Sequence, residues 1–173
     1  MDIEHRFRLQ QCREAAGKAH TANLTHREAT SMLNGRIVPQ VTYSMPVTTF
    51  NADQCRQVNT AINGVMFNKL GFNRHMPHAV MYSPPHMCGY SFPCFQITQD
   101  QKGLLSMLKH FRWNGTVGNG MLVVLSAIQL VSGLCKPILE DVTTRLSHLG
   151  DGWFKLHRER VAAMSGIMWV ERQ

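Results

Sequence analysis

The sequence predicts a mainly α-helical protein: a helical, thumb-like bundle over residues 1–71, an ordered loop rich in Pro, Gly and aromatic residues over 72–97, and a second helical region over 98–173. Apolar residues recur at three- and four-residue steps in several long stretches, the period of a helix with one buried face. Four of the seven prolines fall between residues 77 and 93, which interrupts that pattern once and densely. Thr25-x-x-Glu28 and Asn51-x-x-Gln54 have the reciprocal form of helix-starting boxes, in which each side chain satisfies a free backbone N–H of the other. With 44% hydrophobic and 17% charged residues in a chain of 173, the composition is that of a packed protein and not of a disordered one.

Residues 3–20 hold no proline and many helix formers, with apolar Ile3, Phe7, Leu9 and Cys12, so a polar and partly exposed first helix is expected. The box at Thr25 starts a second helix that runs toward Val38, where Pro39 marks a break or kink. Residues 42–49, with β-branched side chains and Pro46, form a connector or a short extended piece. Asn51 then caps the clearest helix, with Phe50 placed to staple onto Cys55. Its stripe is Cys55, Val58, Ile62, Val65, Met66 and Leu70, and Gly71 ends it in a left-handed conformation.

The loop holds at most one short strand, over residues 79–82. Helical spacing returns over 98–112, with Leu104, Leu108 and Phe111 on one face and Lys102 and Lys109 nearly opposite. Asn114-Gly115 and Gly118-Asn119-Gly120 make a turn, followed by an apolar helix over 121–132 that Gly133 stops. It reads as a buried helix, far short of the roughly 20 residues a membrane crossing requires. Pro137 opens a segment over 138–149, where Glu140 and Asp141 are placed to complement a helix dipole. Gly150-Asp151-Gly152 then turns the chain into a last helix from Trp153 to about Met164.

Eighteen Lys and Arg against eleven acids give a net charge of +7, which directs attention to a polyanionic partner. The charge is local: between residues 61 and 112 stand Lys69, Arg74, Lys102, Lys109 and Arg112 against Asp100 alone. Lys69, Arg74 and His75 flank Gly71-Phe72, and Arg112 abuts Trp113, an arrangement that suits phosphate contact with a base stacked alongside. The amino terminus carries acids and no apolar stretch, so an intracellular protein without a membrane partner is expected. Five scattered cysteines, an odd number with no CxxC pair, read as free thiols.

Residue types for other chemistry are present without the spacing it needs. His75, His78, His86, Cys88 and Cys94 are zinc-ligand types, but their intervals match no finger pattern. No Gly-rich phosphate loop occurs, and nothing orders a cysteine beside a base. No catalytic residue, cofactor or metal is expected in this chain. Two readings stand beside nucleic-acid binding: a helical protein–protein interaction module whose basic face is incidental, and a small metal- or Cys-dependent enzyme.

The order of motifs carries a resemblance. Leu24-Thr25-His26-Arg27-Glu28-Ala29, residues 39–48, Asp53-Gln54-Cys55, and above all Lys69-Leu70-Gly71-Phe72-Asn73-Arg74-His75-Met76-Pro77 resemble the stretch that follows the catalytic palm in reverse transcriptases of non-LTR-type retroelements. Residues 129–133, and Trp153 followed by Arg158, look like the same family's downstream connector. The resemblance implies a thumb plus connection region that holds primer and template, RNA or an RNA:DNA duplex, beside a palm supplied elsewhere. It also places the metal-binding carboxylates of the polymerase in that palm. This chain has no Asp-Asp pair, so it carries no polymerase site of its own, although the parent protein would be an RNA-directed DNA polymerase. The family's basic residue is replaced by His78 and its Gly-rich turn by residues 87–91.

Overall fold

The computed structural model describes residues 2–73, 75–113, 115–150 and 152–163, and all regular structure among them is helical. Asn114, Asp151 and Met164, expected in two turns and at a helix end, lie outside the described residues. The chain divides into two units, residues 1–99 and 100–173.

In the first unit, α1 (Asp2–Thr21) turns His5, Leu9, Cys12, Ala15, Ala16 and Ala19 inward, and it packs mainly on α4 (Ala52–Lys69). The expected box opens α2 (His26–Met32): the Glu28 N–H donates to Thr25 Oγ1 at 3.4 Å and the Thr25 N–H to Glu28 Oε2 at 2.8 Å. The Thr25 N–H, and the Thr25 hydroxyl that donates to the same Oε2 at 2.7 Å, hold the Glu28 carboxyl below its ordinary range. Of the break or kink expected at Pro39, the break does not occur. A π-helical turn over Leu33–Ile37 leads straight into α3 (Val38–Thr42), which contains Pro39. Proline lacks an N–H and its ring presses on the carbonyl four residues back, and the wider π turn lies just there. The buried residues Ala29, Leu33, Ile37 and Val41 step by four, which drifts about 40° per step in an α-helix; the π turn takes up part of that drift and keeps them on one core face.

Asn51 caps α4 as its sequence requires, with the Gln54 N–H on Asn51 Oδ1 at 2.8 Å and the Asn51 N–H on Gln54 Oε1 at 3.0 Å. Cys55, Val58, Ile62 and Met66 are buried along it, and Gly71 closes it at φ +73°. The Pro-rich segment is ordered, but residues 79–82 are not a strand. They belong to a short helix, α5 (His78–Tyr82), because the Pro77 carbonyl accepts the N–H groups of Val80 and Met81. After a 3₁₀ turn over Pro85–Met87 the chain returns, donating Tyr90 N–H to the Val80 carbonyl and Phe92 N–H to the Met81 carbonyl. Edge-to-face ring contacts of 4.8–6.3 Å join Phe67, Phe72, Tyr90 and Phe92 and seat this segment on the first core.

The helix α6 (Phe95–Trp113) begins in the first unit with the buried Phe95 and continues into the second. There it is followed by α7 (Thr116–Ser132) and α8 (Trp153–Ala163). The turn before α7 is shorter than expected, since Gly118, Asn119 and Gly120 are inside the helix. A Cβ at Gly118 would stand 2.1 Å from the His110 carbonyl, so glycine there permits a close approach to α6. Gly133 ends α7 at φ +67°. Contrary to expectation, α7 is not a buried helix: Val123, Val124, Leu130 and Val131 lie on the surface of the protein. No single helix among the described residues is long and apolar enough to cross a membrane.

Residues 138–149 are turns, and Glu140 and Asp141 start no helix. The Asp141 carboxylate accepts instead from the backbone and hydroxyls of Thr143 and Thr144 at 2.8–3.1 Å, which pulls its pKa down to about 2 and competes with helical bonding. Gln129 grips the segment from α7, accepting the Ile138 N–H at 2.6 Å and donating to the carbonyls of Leu134 and Lys136. Arg158 of α8 donates to the carbonyls of Ile138, Asp141 and Thr144. Ile138, Leu139 and Leu146 are thereby held in a small second core with Phe111, Leu125 and Ile128 beside them.

Candidate nucleic-acid interface

The expected contact residues fall in both units, and each unit is described by itself. In the first, Lys69 ends α4 with its ammonium donating to the Ala22 carbonyl at 2.7 Å, half-buried, which ties the end of α4 to the chain leaving α1. That contact bridges 47 positions and leaves no trace in local spacing. His75 is exposed in the turn after Gly71, its backbone N–H held by Asn73 Oδ1 at 3.0 Å. Arg74 lies outside the described residues.

In the second unit, Lys102 is half-buried on α6 while Lys109 and Arg112 are exposed. Lys109 Nζ stands 5.3 Å from the centre of the Trp113 ring, and that indole is 71% exposed. The spacing explains the contact, because residues four apart on a helix are neighbours. Leu105, also exposed, precedes Lys109 by one turn and widens the face. The helical period already separates it from Leu104, which shares the apolar face of Leu108 and Phe111 and is half-buried with them. The one acid of α6, Asp100, is turned to Arg160 at 2.7 Å, both largely buried. Burial raises the Asp100 carboxyl against the opposing pull of Arg160. The carboxy-terminal end of α6 therefore presents two cations, an open indole face and an exposed leucine.

The other chemistries have no such assembly. Among the described residues no three His, Cys, Asp or Glu side chains gather in a metal-holding group. All five cysteines are free thiols; Cys12 is pushed up to about 12 by burial, which makes it a poor nucleophile. In a surface pocket lined in part by Lys155 and Arg158, both cations are engaged by the chain itself, Lys155 by the Leu149 carbonyl and Arg158 by the turn.

One buried titratable group affects stability. His157 of α8 is fully buried, with Trp153 at 4.4 Å and Gly103 against its ring, and neither ring nitrogen has a hydrogen-bond partner. Burial first, and then the charge of Arg160, lower its pKa from 6.5 to about 4. The fold thus holds a neutral ring, and between those two values the unfolded chain binds more protons than the folded one. Stability present above pH 6.5 is expected to fall by about 2–3 kcal/mol as the pH drops to 4. Urea titrations of the wild type and of His157→Phe across that range test this. An equal slope in both proteins would assign the acid sensitivity to other groups.

Compared with protein-family models, with curated proteins and with solved structures, the chain matches none.

Proposed function

We propose that this chain grips nucleic acid, RNA or an RNA:DNA duplex, through its phosphates, as the thumb and connection region that its motifs resemble would do, and that it carries no polymerase site of its own. The observation that supports the reading is the Lys109–Arg112–Trp113 end of α6: phosphate-reaching cations beside an exposed ring that offers its face to a base. Phosphate contacts position a partner without reading its sequence, so preference among sequences is weak. Binding of a labelled RNA:DNA duplex at several salt concentrations tests it. The affinity should fall with salt, and Lys109→Ala and Arg112→Ala should each flatten the log–log slope by a little under one unit. Trp113→Ala should weaken binding about tenfold without changing that slope. Binding indifferent to salt, or surviving all three substitutions, would overturn the reading. Lys69→Ala should act on stability more than on the slope, because its ammonium is engaged by the Ala22 carbonyl.

A protein-interaction reading is favoured by a different observation, the exposed apolar face of α7.

A further inference from the structure

We propose that α7 is the interface of an antiparallel homodimer, a second copy of this chain lying across its exposed face. Val117, Gly120, Val124, Ala127 and Val131 alternate steps of three and four residues, the spacing of a coiled-coil seam, and all five are exposed on the side turned away from the second core. Val123 and Leu130 extend the face along one border, with Leu130 84% exposed.

The order of large and small residues in this seam selects the occupant and its direction. When the stripe is reversed against itself, its three–four spacing comes into register only if the valine positions of one copy face the small positions of the other. Val117 then meets Ala127 and Val124 meets Gly120, or, one layer along, Val124 meets Ala127 and Val131 meets Gly120. Each valine enters the space a small residue leaves, and the contact repeats itself about a two-fold axis, as a closed dimer requires. A parallel pair would set valine on valine and leave a gap where Gly120 faces its own copy.

Charge and area agree with this occupant. No charged residue occurs between Thr116 and Ser132, so no like charge within the seam itself repels a second copy. The exposed side chains offer on the order of 500 Å² per copy, hence about 1,000 Å² in a pair, the lower limit of a specific interface. Interfaces at this limit belong to the weak, transient class, so association in the micromolar range is expected.

The test is sedimentation equilibrium of the full chain from about 1 to 100 μM, at high salt and free of nucleic acid, so that no bound polyanion bridges copies. A monomer–dimer equilibrium is expected. Val124→Glu and Val131→Glu should each give a monomer with unchanged helical circular dichroism, since both side chains are on the surface. Ala127→Leu sets the direction: it fills the space that receives a valine in the antiparallel pair and should weaken the dimer at least tenfold, whereas in a parallel pair it would fill a gap and strengthen it. A monomer at 100 μM, an open series of larger oligomers, a dimer indifferent to both glutamates, a tighter Ala127→Leu dimer, or a monomer that binds neutral phosphatidylcholine vesicles through this face would each overturn the proposal.

Discussion

Arg158→Met is expected to destabilise the second unit by about 3–5 kcal/mol, because it strips several backbone carbonyls of their donor at roughly 1–3 kcal/mol each. Arg158 is 3% exposed, yet no carboxylate faces it in its hydrogen bonds. Its charge is met by carbonyl oxygens: Nε donates to Ile138 and Asp141 at 2.9 Å each, and Nη2 to Thr144 at 2.6 Å and again to Asp141. One planar fork thus fixes three points of a segment that has no helix to hold it, and it keeps Ile138 in the second core. Methionine preserves much of the volume but leaves those carbonyls without their donor. Arg158→Lys should recover only part of the loss, because an ammonium on a flexible stem does not span three carbonyls at once. Urea unfolding followed through the fluorescence of Trp153, which stands on the same helix, measures the change. A loss below about 1 kcal/mol would mean that water reaches those carbonyls and that the segment holds its shape without the fork.

Gln99→Leu should cost the first unit a similar amount, about 3–5 kcal/mol, because it deprives two buried backbone groups of their partners at once. Gln99 is completely buried, its Oε1 accepting the Phe50 N–H at 2.8 Å and its Nε2 donating to the Phe50 carbonyl at 3.0 Å. The amide acts as one rung of a ladder, fastening the first turns of α6 to the connector just ahead of the Asn51 cap. Leucine matches it in size and offers neither a donor nor an acceptor. Gln99→Glu keeps an acceptor for the N–H but turns an oxygen toward the carbonyl, so it should be tolerated at low pH, where the carboxyl is protonated, and lose stability as the pH rises. A pH-independent Gln99→Glu protein as stable as wild type would show that the clamp contributes little.

Both residues illustrate what local pattern does not reveal. Gln99 reads as an ordinary polar helix residue, and its partner is 49 positions away; Arg158 reads as part of a motif, and its partners lie 14 to 20 positions back. Lys69 was legible as a cation at a helix end but not as the donor to Ala22. Arg112 beside Trp113 was legible from adjacency, whereas the contact of Lys109 with Trp113 appears once α6 runs through Trp113 and puts the two one turn apart. The same limit explains the segment over 138–149, whose Pro and acids suit a helix start until Asp141 turns to its own threonines and Gln129 and Arg158 take the backbone.

By itself the sequence determined the mainly helical class, the boxes at Thr25 and Asn51, the buried stripe of α4, and the helix ends at Gly71 and Gly133. The boxes and helix ends depend on backbone groups and side chains within about one helical turn of one another, and the stripe follows from the three- and four-residue period that sets one apolar face along α4. Only the tertiary structure decided that residues 79–82 are helical, that the helix continues past Pro39, that α7 lies open, and that Gln99, Arg158 and His157 are buried. Burial is a property of what packs against a residue, and distant parts of the chain supply the neighbours that an apolar or polar period cannot name.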